Sequence, residues 1–271
     1  MTPSTDYDYD YAGLLKAYSS LGVAPGRCVY VGADLIRLMR YKEPGRIQVL
    51  DAHLRAFREL LGPTGTLFVP TASLNLCNSQ IVFDPESTPS ADMGVFAEYV
   101  RQQPDAVRSF HPFWSVTGVG PAAAEFLGKI SRHAYGWGSI FQHFVERDVL
   151  GVNIGRSAHY SISVIHHIET VIGVPYRYTK EFMHPVLRAG KVSIEPFYLS
   201  VLYRECDIVR DRNRKIFENF SKYGTMKTAE IGRGNAWSFS HKQFFDVTTE
   251  LLQRDIYAWL ERPPTRRPYQ Y

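Results

Sequence analysis

His166 and Glu169 stand three residues apart in SAHYSISVIHHIETVI, the stretch from Ser157 to Ile172. At 3.6 residues per helical turn, Ser163, His166, Glu169 and Thr170 fall on one face, while Ile162, Ile165, Ile168 and Ile172 fill most of the remainder. The pattern predicts a mostly buried helix carrying a polar stripe. Side chains at i and i+3 have Cβ atoms roughly 5–6 Å apart, so Glu169 can orient the His166 imidazole and stabilise its protonated form. An imidazole supported in this way is a general base, suited to taking a proton from a nucleophile. The same residues also fit a satisfied buried pair on an apolar helix, and spacing alone leaves both readings open. His167 points about 100° away, where packing is the expected role. A metal hydrolase is disfavoured, because no further His, Asp or Glu set accompanies this pair at convincing spacing.

Composition bounds what surrounds the helix. The 271 residues can bury one large core, and 45% hydrophobic with 14% aromatic residues describes a globular chain. No repeat, signal-peptide pattern or run of about 18 apolar residues stands out, so a soluble cytoplasmic protein is expected. Cys28, Cys77 and Cys206 are widely spaced without a CxxC pair, which excludes a disulfide framework or thiolate zinc site and leaves packing as their role. The net charge of +4 is mild and its basic residues are scattered, which argues against nucleic acid and accommodates small anionic ligands.

The elements that position the helix read as an α/β alternation. A helix over 11–21 precedes RCVYV at 27–31, a buried strand, and then GADLIRLMR. Gly32 permits a tight turn there and Asp34 is placed to cap a following helix, so the amides around Ala33, Asp34, Leu35 and Ile36 form a candidate anion site. A helix over 48–61 and the strand TLFVP follow, with Thr71 and Ser73 just past the strand end, where ligands gather in open α/β sheets. The irregular stretch 75–92 is long enough to be either functional or mobile. Helices near 94–101 and 121–127 and the strand VLGVNIG bring the chain to His166. After Pro175 the aromatic and charged texture predicts an outer layer of strands plus a helix, then a hairpin and a final helix over 241–260. One domain is expected, with 176–271 as an elaborated C-terminal layer.

Several blocks together resemble the aminoglycoside 3-N-acetyltransferase family: GPTGTLFVPT at 62–71, FDPESTPSADMG at 83–94, VRSFHPFWSVTGVGP at 107–121, YGWGSIF at 135–141, and the H-x-x-E of His166 and Glu169. A weaker match runs through AEIGRGNAW. The resemblance implies an α/β layered fold, with a central mixed sheet flanked by helices and not GCN5-like. It implies an acyl-CoA-dependent N-acyltransferase in which His166 is the general base, Glu169 supports it, and the amine attacks the thioester directly without an acyl-enzyme. It assigns Ala33, Asp34, Leu35, Thr71, Arg108, His111 and Ser115 to coenzyme A, with Thr71 or Ser115 near the oxyanion, and Ser73, Trp114 and Tyr160 to the acceptor. Two departures stand out. A His-Ser-Ser type turn is replaced by Gly32, Ala33 and Asp34, and a histidine of the HPxxS block is Trp114.

The acceptor is a separate question. Aminoglycosides are polycations that call for carboxylates, whereas a diphosphate calls for Arg and Lys. The Tyr-, Phe- and Arg-rich region from Arg177 to Arg214 therefore favours a nucleotide-linked deoxyamino sugar of surface polysaccharide biosynthesis, with aminoglycoside acetylation as the alternative. A coenzyme A-binding protein without catalysis is the reading from another class, and a homodimer is left open.

Overall fold

The computed structural model describes residues 7–91, 93–156 and 162–266. Helix α1 (Tyr11–Ser20), capped by the Asp10 carboxylate on the Gly13 amide, leads into β1 (Cys28–Ala33). The expected helix after β1 is only a 3-10 turn, Leu35–Leu38, and the Asp34 side chain does not cap it. Helix α2 (Arg46–Leu61), β2 (Thr66–Pro70), α3 (Val95–Arg101), β3 (Val107–Arg108) and β4 (Val116–Val119) follow, then α4 (Ala123–Gly128), α5 (Ile140–Glu146) and β5 (Leu150–Ile154). Helix α6 (Val164–Ile172) carries His166, and it starts later than the periodicity predicts: Ile162 and Ser163 precede it, and 157–161 lie outside the described residues.

The C-terminal part contains a long hairpin of β6 (Arg177–Arg188) and β7 (Lys191–Leu202), helix α7 (Arg214–Tyr223), a second hairpin of β8 (Met226–Ile231) and β9 (Gly234–Ser240), and α8 (His241–Arg254). Helix α8 ends six residues short of the expected Leu260, where Asp255 takes an extended conformation. The seven-stranded sheet runs β3-β4-β2-β1-β5-β9-β8. Its β1 pairs in parallel with β2 and β5, while β4 and β9 join antiparallel, so the sheet is mixed. The hairpin of β8 and β9 thus belongs to the main sheet, whereas β6 and β7 form their own two-stranded sheet.

Alternation along β1 explains the two cores. Val29 and Val31 face α1 and α2, with Leu54 and Phe57, whereas Tyr30 faces α5, α6 and α8, with Phe144, Ile168 and Phe244. Both faces of the sheet are covered, as its uninterrupted apolar strands require.

Candidate active site

A cavity of about 560 Å³ opens on the α6 side of the sheet. Gly32, Pro70 and Asn153 bring to it the carboxyl ends of β1, β2 and β5, the usual place for a ligand in such a sheet. Gly32 does not have a positive φ, so its role is close approach rather than the turn: a Cβ there would stand 3.1 Å from Asn153 Oδ1 and 3.4 Å from Arg156 Nη1. The left-handed residue is Gly155, at φ 64°, where a Cβ would collide with the Asp34 carbonyl.

Helix α6 presents Ser163 and His166 to the cavity. His166 keeps a quarter of its side chain exposed while Glu169, one turn on, is fully buried. His166 Nδ1 lies 2.7 Å from Glu169 Oε2. The carboxylate is held from two other directions. The Tyr176 hydroxyl donates to Oε1 at 2.9 Å, and Arg177 Nε stands 2.8 Å from Oε2 as an ion-pair contact outside hydrogen-bond alignment. Arg177 Nη2 is also 3.0 Å from His166 Nδ1. Tyr135 and Trp259 set their rings edge-on to the imidazole at 5.5 and 5.6 Å.

This surrounding changes the electrostatics expected from spacing. Burial, followed by the Arg177 guanidinium, holds the His166 pKa below its ordinary value, and Glu169 opposes that shift without overcoming it. The ring is therefore neutral at neutral pH, as a base must be. Tyr176 and Arg177 are absent from the sequence-based site. The available signal was physical: a carboxylate on a buried helix face needs a counter-charge, and a tyrosine and an arginine follow Pro175.

The residues expected to hold coenzyme A do not line this cavity. Ala33 and Leu35 are buried in the core beneath the sheet, and Asp34 pairs with Arg37 at 3.1 Å while its amide donates to Ile154 O. None of these lines the cavity, and a single 3-10 turn does not offer the expected amide site. Thr71 and Ser115 join β2 to the start of β4. Thr71 Oγ1 lies 3.0 Å from Thr117 Oγ1, and Ser115 Oγ donates to Thr71 O at 2.7 Å. Both are fully buried, and neither lines the cavity that holds His166. Arg108 is a tie-bar: Nε donates to Ser115 Oγ at 2.9 Å, Nη2 to Thr71 O at 2.7 Å and Ser73 Oγ at 3.2 Å, and Nη1 to Thr88 O. Ser73 donates in turn to Pro89 O at 2.8 Å. The described part of the stretch read as functional or mobile, residues 75–91, is thereby fastened to the sheet. His111 is buried with Nδ1 accepting from the Phe113 and Trp114 amides. Among the sequence-expected acceptor residues Trp114 lines the cavity, Ser73 does not, and Tyr160 lies outside the described residues. His167 packs against Phe245 and accepts from the Gly136 amide at 3.1 Å, away from the cavity.

The cavity lining includes Ser163 from the expected polar face and Arg210 and Arg212 from the Arg-rich region, whereas Tyr30, Asn153 and Arg156 are not among the sequence-expected site residues. Tyr30, Asn153 and Ser163 supply hydroxyl and amide groups, and Arg156, Arg210 and Arg212 supply positive charge. Among the described residues the lining contains no Asp or Glu. These groups come from β1, from the end of β5 and the residues after it, from the start of α6 and from the connection between β7 and α7, so only folding unites them. Among the described residues no group of three or more His, Cys, Asp or Glu could hold a metal ion, and no helix is long and apolar enough to cross a membrane.

Comparison with known proteins agrees with this architecture. Aminoglycoside N(3)-acetyltransferase IV from Salmonella sp is 29% identical over 95% of this chain and 92% of its own length. Aminoglycoside N(3)-acetyltransferase III from Enterobacter cloacae is 28% identical over 66% of this chain and 67% of its own. Among solved structures, an AAC-IIIb binary complex with CoASH superposes with a TM-score of 0.77 at 20% identity, covering 90% of this chain and 96% of that one. Aminoglycoside acetyltransferase AAC(3)-IIb gives 0.78 at 20% identity, covering 91% and 97%. At those identities the structures establish the fold. The sequence profile described as aminoglycoside 3-N-acetyltransferase matches residues 42–253, most of the chain. With His166 on the cavity wall and the fold of these enzymes around it, the chain belongs to the aminoglycoside 3-N-acetyltransferase family, a family of coenzyme A-dependent N-acetyltransferases.

Proposed function

We propose that this protein transfers the acetyl group of acetyl-CoA to an amino group of an aminoglycoside, with His166 as general base. The observation that carries the reading is the His166 ring, open to the cavity on one side and tied through Nδ1 to a fully buried Glu169 on the other. Nε2 takes the proton of the amine as its nitrogen attacks the thioester carbonyl, the C–N bond forms, and the C–S bond breaks to release coenzyme A. Such positioned base catalysis contributes about 10²–10⁴-fold. The oxygen that gains charge needs donors, and the hydroxyls of Tyr30 and Ser163 share the cavity with His166. Arg156, Arg210 and Arg212 suit the phosphates of coenzyme A, and Ile162, Ile165, Ile208 and Val209 suit its apolar arm.

The acceptor is drawn from the relatives, which are aminoglycoside N(3)-acetyltransferases by name. This moves the balance away from the nucleotide-linked amino sugar favoured by sequence texture. Within that Arg-rich region Arg177 is turned inward onto Glu169 and Arg188 pairs with Glu195, while Arg210 and Arg212 line the cavity. One observation keeps the nucleotide-linked sugar as a second reading: the described lining has arginines and no carboxylate to hold a polycation. Thiol release from acetyl-CoA, followed against a panel of aminoglycosides and nucleotide amino sugars, separates the two. Turnover of aminoglycosides is expected; turnover confined to the nucleotide sugars transfers the role to the second reading, and none with any amine removes both.

A further inference from the structure

We propose that Arg177 is a positioning residue of this reaction, which keeps His166 uncharged before attack and drives the captured proton onward to the departing thiolate. The inference rests on the general-base role of His166 given above. Nδ1 of an imidazole carries either a proton or a lone pair, yet here it faces two groups with opposite demands. Glu169 Oε2, at 2.7 Å, can only accept, and Arg177 Nη2, at 3.0 Å, can only donate. With Nδ1–H donated to Glu169, the lone pair of Nε2 is available to the amine. Once Nε2 has gained the proton, the ring is a cation with a guanidinium within hydrogen-bond distance. Passing the Nε2 proton to the thiolate relieves that contact, an N–H bond being exchanged for an S–H bond, and restores the neutral base.

Arg177 cannot readily turn away. Its Nη1 donates to Ser200 O at 3.1 Å, its guanidinium lies 4.7 Å from the Trp259 ring centroid, and only 9% of its side chain is exposed. The ion pair with Glu169, assisted by the Tyr176 hydroxyl, offsets the carboxylate, so Glu169 orients the ring more than it charges it. The other groups facing His166 are Tyr135 from the loop before α5, Trp259 from the segment after α8, and Arg210 from the connection between β7 and α7. Arg210 is exposed and adds a weaker push in the same direction.

The test is an NMR titration of ring-labelled histidine in the full chain, with the His166 signal identified by its loss in His166→Asn. Removing a like charge from within about 4–6 Å is expected to raise the His166 midpoint by about one pH unit or more in Arg177→Met. Arg177→Lys keeps the charge and is expected to keep the midpoint near that of wild type. The acid limb of kcat/KM should move with the midpoint, and kcat should fall while the KM for acetyl-CoA holds. If Arg177→Met does not fold, Arg177→Gln, which retains a donor for Glu169, serves in its place. A folded neutral variant with an unchanged midpoint, or a Lys variant that shifts as far as Met, overturns the proposal. The titration needs no acceptor, so a wild type inactive on every amine would defeat the proposed function and leave this result readable.

Discussion

An imidazole serves as a base only if it is neutral when the amine arrives and one nitrogen is reserved for the reaction. At His166 both conditions come from neighbours: Glu169 takes Nδ1, and burial with Arg177 holds the pKa down. Replacing His166 with Ala is expected to lower kcat by about 10²–10⁴-fold in a thiol-release assay. Acetyl-CoA binding by calorimetry should survive, because the arginines of the cavity remain. A variant that turned over at the wild-type rate would remove the base from the mechanism. Glu169→Gln leaves the Arg177 charge buried without its partner, so a stability loss of about 3–5 kcal/mol in denaturant unfolding is expected alongside slower turnover. A neutral effect on stability would mean that the pair is not a closed ionic unit.

Helix α6 and the loop before α3 show how elements hold such residues. Gly173 ends α6 in the left-handed conformation at φ 76°, turning the chain so that Tyr176 and Arg177 return beneath Glu169. Arg108 fixes the stretch 75–91 to the sheet by binding carbonyls at Thr71 and Thr88. Leaving a buried acceptor unsatisfied costs about 1–3 kcal/mol, so Arg108→Met is expected to lose several kcal/mol of stability while the KM for acetyl-CoA in the folded fraction stays near wild type. A raised KM with intact stability would return Arg108 to the coenzyme, the role its sequence block suggests. At the end of β1, Gly32→Ser places atoms against Asn153 and Arg156 and is expected to raise the KM for acetyl-CoA severalfold at nearly unchanged kcat. An unchanged KM would show that Arg156 does not contact the cosubstrate.

For the whole molecule, the buried histidines set the response to acid. Burial lowers the pKa of His53 to about 3 and those of His111, His167 and His241 to about 4. The unfolded chain takes up these protons near pH 6.5, while the folded chain does so only well below that. Between those values the unfolded state binds more protons, so stability rises with pH, is full above about 6.5, and falls as pH drops towards 4. Each such group contributes a slope of up to about 1.4 kcal/mol per pH unit. The melting temperature should therefore drop steeply between pH 6.5 and 5, and His53→Gln, if folded, should make the slope shallower. A flat profile over that interval would mean that the imidazoles are hydrated in the folded state.

The pairing of His166 with Glu169 was legible in the sequence because a helix fixes the distance between residues three apart, whatever else the chain does. The strands at 28–33, 66–70 and 150–154 were legible for a similar reason, since short apolar runs between breakers admit few other conformations. Arg177 beside His166, Arg156 on the cavity wall, and the binding of Thr71, Arg108 and Ser115 into a structural network were not legible. Each depends on which faces of distant segments meet, and a motif records the residue without the direction of its side chain. The sequence thus determined the His166–Glu169 pair and the class of fold, because local spacing and apolar runs fix both, and tertiary packing alone decided the charge around that imidazole and the walls of its cavity.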